Sequence, residues 1–254
     1  MWIACSTLCF GRYPLEEALR RIAELGFSKA EIAIGTQGPH LTPSDIQRDP
    51  VAVAHMLRAC SASPAAILLD DEEANVRVRS SQFDAVCRLA HLCAVPAITV
   101  PASKTGTPLG VEVDRLCHLS HIAGGHGIWL NVETRLGTLT ESPHTAVELC
   151  KRVPDLRLTL DPSHFLCGPA QGKNMDLVYP YVRHVHLRDS GRTPAEFQVP
   201  VGLGVVEYSK ILALLERYGY NRLLTIEYLD SPDLAFSIET EVRKLKYLLE
   251  SMIR

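Results

Sequence analysis

The sequence predicts an α/β fold, a single (β/α)8 TIM barrel forming one domain over residues 1–254. Three observations lead there. Strand-like apolar runs alternate with amphipathic helical runs from one end to the other, the pattern of a parallel sheet with crossover helices. Eight such strands occur in the 254 residues, close to the roughly 250 typical of a closed barrel. No Gly-x-Gly-x-x-Gly follows the first strand, which disfavours the competing open, doubly wound sheet. Gly202-Leu-Gly204 lacks the third glycine and the surrounding strand-turn-helix of a nucleotide fingerprint.

Trp2–Ser6 is the first apolar run. Pro14–Gly26 then carries proline in its first turn, early glutamates and a stop glycine, with Leu15, Ala18, Leu19, Ile22 and Leu25 on one face. Ala30–Ile34 is the second strand. The polar, Pro/Gly-rich stretch 36–49 reads as a loop before a helix over Val51–Ser61. Ala65–Leu69 and Val76–Cys93 form the third strand and helix. Ala97–Val100 is the fourth strand; the Ser103–Gly110 loop leads to a helix over Val111–Ala123. Ile128–Glu133 and Ser142–Arg152 make the fifth unit, and Leu156–Asp161 is the sixth strand. Only a short helix is expected between Pro162 and Pro180. Val182–Leu187 is the seventh strand, Tyr208–Tyr218 a helix ended by Gly219, Leu223–Glu227 the eighth strand, and Leu234–Met252 a last amphipathic helix.

The charge balance is even, with 26 Lys+Arg against 29 Asp+Glu, and no basic block suggests a nucleic-acid partner. None of the eight cysteines forms a Cys-x-x-Cys pair, so they read as reduced core residues. Met1-Trp-Ile-Ala-Cys5 lacks a basic segment and a long apolar stretch; it is a poor signal peptide and a good first strand. No apolar run is long enough for a membrane span. A cytoplasmic location is expected.

Glu133, Asp161, His186 and Glu227 each close one of four successive strand runs. A charged group is costly to bury without a partner. In a barrel the C-terminal strand ends carry the active site. Three carboxylates and an imidazole at four such ends suggest convergence on one cation. Such a donor set is hard; it suits Mn²⁺, Mg²⁺ or Co²⁺, and Zn²⁺ also accepts it.

Asp161-Pro-Ser-His164 resembles the Asp-x-x-His step of the xylose isomerase-like TIM barrels, which include sugar epimerases and isomerases, inosose dehydratases and an apurinic endonuclease. His184-Val-His186-Leu-Arg-Asp189 is similar to that family's His-x-His-x-x-Asp segment. Residues 202–211, Tyr218-Gly-Tyr220 and Thr225-Ile-Glu227 resemble its C-terminal signature. The resemblance runs from Trp2 to Glu227 and is most distinctive in the second half. It implies that Glu133, Asp161, His186 and Glu227 hold one divalent metal ion. It implies further that Glu133 and Glu227 are an acid/base pair, moving a proton beside a carbonyl through a metal-stabilised enediolate. His164 and Arg192 would steady the developing oxyanion. The neutral His186 requires an acceptor for its other ring nitrogen, which the sequence does not name.

The expected activity is therefore that of a metal-dependent sugar or sugar-derivative epimerase or isomerase, with a small carbohydrate-like substrate. A metal-dependent lyase of the inosose dehydratase type needs the same enolate and is the alternative. An abasic-site endonuclease fits poorly, because the third strand is followed by Asp70-Asp71 and the fourth by Pro101-Ala102 rather than by histidines. A metal-free binding protein is opposed by the intact ligand set. Ketose 3-epimerases usually place another glutamate shortly after the first ligand; here Arg135 follows instead, which would suit a carboxylate or phosphate if it faces the pocket. Lys104, Gln37 and His40 are lesser pocket candidates. His91, His118, His121, His126 and His144 are expected away from the strand C-termini, and Trp2 reads as packing at the barrel's bottom. A homodimer is the expected assembly.

Overall fold

The computed structural model describes residues 1–71 and 75–253. Eight strands close into one barrel in sequence order: β1 (Trp2–Ser6), β2 (Lys29–Gly35), β3 (Ser63–Asp70), β4 (Ala97–Pro101), β5 (Trp129–Glu133), β6 (Arg157–Leu160), β7 (Val182–Leu187) and β8 (Leu223–Ile226). Every neighbouring pair is parallel, and β1 pairs with β8 to complete the ring. The helices are α1 (Leu15–Glu24), α2 (Pro43–Arg48), α3 (Pro50–Ala59), α4 (Val76–Leu92), α5 (Leu109–Gly125), α6 (Pro143–Arg152), α7 (Pro162–Leu166), α8 (Tyr208–Arg217) and α9 (Ile238–Met252). No helix among the described residues is long and apolar enough to cross a membrane.

Strand alternation divides the barrel into two chemistries. Outward-facing Ile32, Ile67, Ile98, Leu130, Leu158, Val185 and Leu224 are at most 2% exposed. They share one hydrophobic core with helix residues such as Leu19, Leu57, Phe83, Leu116, Leu149 and Leu245. Most inward positions are small or polar, Leu68 being an apolar exception. Thr99 Oγ1 on β4 meets Thr159 Oγ1 on β6 at 2.7 Å, inside a buried band that also holds Glu31, Asn131, His184 and Thr225. Bulky aliphatic side chains usually fill such a barrel; here polar groups take their place, and Thr99 and Thr159 pair across the ring.

Three expectations need correction. The stretch read as a loop contains α2, because Thr42 and Asp45 form a capping box and Pro43 occupies the first turn. The sixth strand stops at Leu160, because Asp161 N-caps α7, its carboxylate accepting the Ser163 N–H at 2.9 Å. Trp2 is not packed away: it is 54% exposed at the N-terminal mouth of the barrel. All eight cysteines are free thiols. The helical histidines lie on the outer layer, where His118 meets Ser80 and His126 meets Asp84.

Candidate metal centre

Glu133 ends β5, Asp161 follows β6, His186 is the penultimate residue of β7 and Glu227 follows β8. One donor atom from each lies within 4.8 Å of the others, and all four residues are buried. His186 Nδ1 stands 3.0 Å from Glu133 Oε1 and 3.3 Å from Glu227 Oε2. Glu227 Oε2 is buried and has no hydrogen-bond partner among the described residues. An orphaned carboxylate oxygen beside three further donors fits a cation site. Three oxygens and one nitrogen suit a hard or borderline divalent ion.

The acceptor behind His186 is Glu31, on β2. Its carboxylate is fully buried and lies 3.1 Å from His186 Nε2 and 2.9 Å from His184 Nε2. This leaves Nδ1 as the nitrogen that faces the carboxylates. Burial opposes the ionised form of Glu31, but the two histidines outweigh it and hold the carboxyl well below its usual range. Glu31→Gln keeps the shape and removes the charge. It should weaken divalent-ion binding about 10–100-fold, measured by calorimetry with Mn²⁺; unchanged affinity would mean that His186 is oriented by something else.

Arg188 was not anticipated. Its guanidinium is fully buried, and Nη2 donates to Asp161 Oδ2 at 2.6 Å and to Glu227 Oε1 at 2.8 Å. It also lies 4.5 Å from the centroid of the Phe197 ring, which His164 touches at 4.7 Å. Arg188 thus ties two of the four candidate ligands together. Strand alternation carries its side chain inward with those of His184 and His186.

Arg192 is in a different place from the one expected. It is exposed, its N–H is fixed by Glu196 Oε2 at 3.2 Å, and it does not line the cavity. The loop turns outward there, so the nearest cation to the ligands after His186 is Arg188. His164 does line the cavity. Its Nδ1 accepts the Leu136 N–H at 3.1 Å, which puts the ring proton on Nε2, 3.6 Å from Asp161 Oδ2. Burial pulls its pKa down, favouring the neutral ring.

Glu133 and Glu227, with His164 and Arg188, line a cavity of about 290 Å³ at the C-terminal mouth. Leu8, Ile34, Leu68 and Leu229 give it apolar walls, and Gln37 lines its rim. Arg135 faces it, with Nη1 2.7 Å from Asp70 Oδ2 and 3.9 Å from Glu133 Oε2. Lys104 is exposed and outside it, and His40 turns away to the Thr7 carbonyl at 3.0 Å. The two glutamates differ. Burial raises both, but the His186 hydrogen bond and charge bring Glu133 down to about 2. In Glu227 burial prevails over His186 and Arg188, and the carboxyl is pushed up to about 7.

Asp189 organises the adjoining loop. Its Oδ2 accepts the Gly202 and Gly204 N–H groups at 2.8 and 3.1 Å, and its Oδ1 accepts that of Ser190 at 3.0 Å. A Cβ on Gly204 would overlap Asp189 Oδ1 and come within 2.5 Å of the Ser190 carbonyl. Gly204→Ala should therefore destabilise the fold by about 1–3 kcal/mol, seen as a lower urea midpoint with an unchanged slope. A native midpoint would show that the loop re-forms without this contact.

No curated protein matches the chain in sequence. D-allulose 3-epimerase from Methylomonas sp. superposes with a TM-score of 0.77 at 15% identity, covering 100% of this chain and 98% of that one. A D-tagatose 3-epimerase-like protein gives 0.73 at 19% identity, covering 99% and 98%. The probable 3-DHS dehydratase AsbF from Bacillus anthracis gives 0.73 at 16% identity, covering 97% and 99%. At these identities the likeness establishes the fold. The model of the xylose isomerase-like TIM barrel matches residues 19–248, a span that runs from α1 to α9 and includes all four candidate ligands; the chain belongs to that family.

Proposed function

We propose that this protein is a divalent-metal-dependent epimerase or isomerase of a sugar or sugar derivative, working by proton transfer beside a carbonyl. The observation that carries this reading is the pair Glu133 and Glu227. Both are buried, and both face His186 Nδ1, at 3.0 and 3.3 Å. Two carboxylates so placed can take a proton from one side of a bound substrate and return it from the other. A divalent ion held by Glu133, Asp161, His186 and Glu227 would supply Lewis-acid stabilisation of the enediolate.

The other groups position and neutralise. His164 directs its Nε2 proton toward the cavity from a ring fixed by the Leu136 N–H, so it can donate to a developing oxyanion. Arg188 takes the cationic role assigned to Arg192 from sequence. The apolar walls exclude water from the reacting atoms.

A second reading, a metal-dependent lyase, is favoured by Arg135 and Arg188 both lining the cavity. Two guanidiniums suit a substrate carboxylate, and the same enolate could expel a β-hydroxyl with His164 as the acid. Proton NMR in D₂O separates these readings. The Mn²⁺- or Mg²⁺-loaded protein is incubated with ketoses, aldoses, inososes and hydroxy-keto acids, and the metal is removed before detection. Deuterium entering beside a carbonyl, abolished by chelation, supports enolisation. Inverted product stereochemistry then supports the epimerase, and water loss the lyase. Exchange that persists undiminished after chelation would defeat the metal-dependent reading.

A further inference from the structure

A second cavity, of about 310 Å³, opens at the opposite, N-terminal end of the strands. It is bounded by first residues of strands: Trp2 of β1, Lys29 of β2, Ala97 of β4, Trp129 of β5 and Leu223 of β8. Packing, not ligand binding, is the usual business of this face. Here Ala66, Ala97 and Thr99 are too small to fill the lower barrel, so the cavity reaches inward to Asn131 and His184.

Two features set it apart from an ordinary surface dent. The first is its charge. Lys29, Arg183 and Arg222 line it, and among the described residues none of the three has a carboxylate within ion-pair distance. Arg183 and Arg222 instead lie 4.3 and 4.9 Å from the ring centroid of Trp129. Arg183's hydrogen bond is a long one, 3.5 Å, to the Asp155 carbonyl. Burial first, then repulsion from Arg157 and Arg222, lowers the Arg183 pKa to about 10. The Asp155 carboxylate, beyond ion-pair distance, offsets that repulsion only in part; cations crowded in this way are unfavourable unless an anion joins them.

The second feature is Asn131. Its side chain is completely buried, yet neither Oδ1 nor Nδ2 has a hydrogen-bond partner among the described residues. An orphaned amide costs free energy that a polar occupant recovers. It lies two residues below Glu133 on the same inward face of β5 and lines the cavity, so a molecule entering between the cations can reach it.

We propose that this cavity is a binding site for a small oxyanion, a metabolite-sized molecule carrying a phosphate or carboxylate. Its charged group sits among Lys29, Arg183 and Arg222, and its polar body meets Asn131. The site is separate from the cavity above Glu133 and Glu227. The two cavities are joined through the barrel by one hydrogen-bonded chain, from His184 to Glu31 to His186 to Glu133.

The chain supplies its own probe. Trp2 and Trp129 are its two tryptophans and both line this cavity, so intrinsic emission reports it directly. The metal-loaded protein is titrated with glycerol 3-phosphate and, separately, with succinate, at ionic strength held constant with NaCl, with calorimetry in parallel. A saturable emission change with one site per chain is expected. Affinity should fall about tenfold in Arg222→Ala, an exposed position whose loss spares the core. Asn131→Leu should weaken binding without altering charge, circular dichroism reporting its fold. Arg135→Ala, which alters the upper cavity and none of the four candidate ligands, should bind normally. Tighter binding of one probe identifies phosphate or carboxylate as the preferred group. An emission change no greater than NaCl produces would overturn the proposal. So would binding that survives Arg222→Ala but is lost in Arg135→Ala, or quenching caused by self-association and indifferent to both anions.

Discussion

Glu227→Gln should lower metal-dependent deuterium exchange by about 10²–10⁴-fold, the range for loss of one acid/base group. Glu133→Gln should do the same. The double variant should lose little more, because both groups serve one proton relay and such effects are not additive. The amide keeps the side chain's volume, so circular dichroism and urea midpoints distinguish lost chemistry from lost structure. Full activity in either variant would remove that residue from the reaction. Metal binding should carry a matching pH signature. Before metal binds, Glu227 titrates near 7 because of its burial, and the carboxylates around His186 overcome burial to keep that ring protonated. Both must lose a proton to become ligands. Below about pH 7 a proton on the Glu227 carboxyl competes with the metal, and the proton held on His186 goes on competing above it. Mn²⁺ affinity should therefore climb as pH rises through about 7, with proton release visible as a buffer-dependent binding enthalpy. Glu227→Gln should flatten the part of that rise owed to the carboxyl.

The barrel was legible because its strands are short, β-branched or Leu-rich runs separated by strong helix punctuation. Alternation and length then decide between closed and open sheets. The four candidate ligands were legible for the same reason: each is a charged or imidazole group at the end of an apolar run. Glu31 carried an equally plain signal, a lone carboxylate inside Ala30-Glu-Ile-Ala-Ile34. It passed unnoticed because its meaning depends on which strand faces it across the barrel, and β2 meets His184 and His186 only once the ring is closed. Arg188 and Arg192 show a different limit. Strand periodicity predicts that Arg188 points inward with His186, but whether a side chain six residues beyond His186 returns depends on the loop. Here the Glu196 carboxylate accepts from the Arg192 N–H and the Thr193 hydroxyl and turns that segment outward. The α2 helix was missed because Thr42-Pro-Ser-Asp45, read by composition, is loop-like, while read by position it is a capping box.

Arg188→Met should have the largest effect on stability, and metal should counteract it. The native guanidinium is the cation between Asp161 and Glu227, buried with both. Methionine fills a similar volume and leaves two carboxylates without their partner. Removing one member of a buried ion pair typically costs about 3–5 kcal/mol. For a chain of this size that is on the order of a 10 °C fall in Tm. The cost depends on pH in a definite direction. Glu227 already has a raised pKa in the fold, so a proton binds the folded state more tightly than the unfolded chain. Protonation relieves the uncompensated charge. The metal-free variant should therefore lie closest to native stability at low pH, where Glu227 is neutral, and lose ground as pH rises from the unfolded carboxylate range past 7. A bound divalent ion replaces the missing positive charge at the same carboxylates, so Mn²⁺ should raise the Tm of the variant more than that of the native protein at equal saturation. Thermal melts of both proteins at pH 5.5 and 8, with and without Mn²⁺, give the four differences needed. Equal metal-induced shifts in the two proteins would show that Arg188 and the cation do not share these ligands, and that the arginine's role is confined to packing against Phe197.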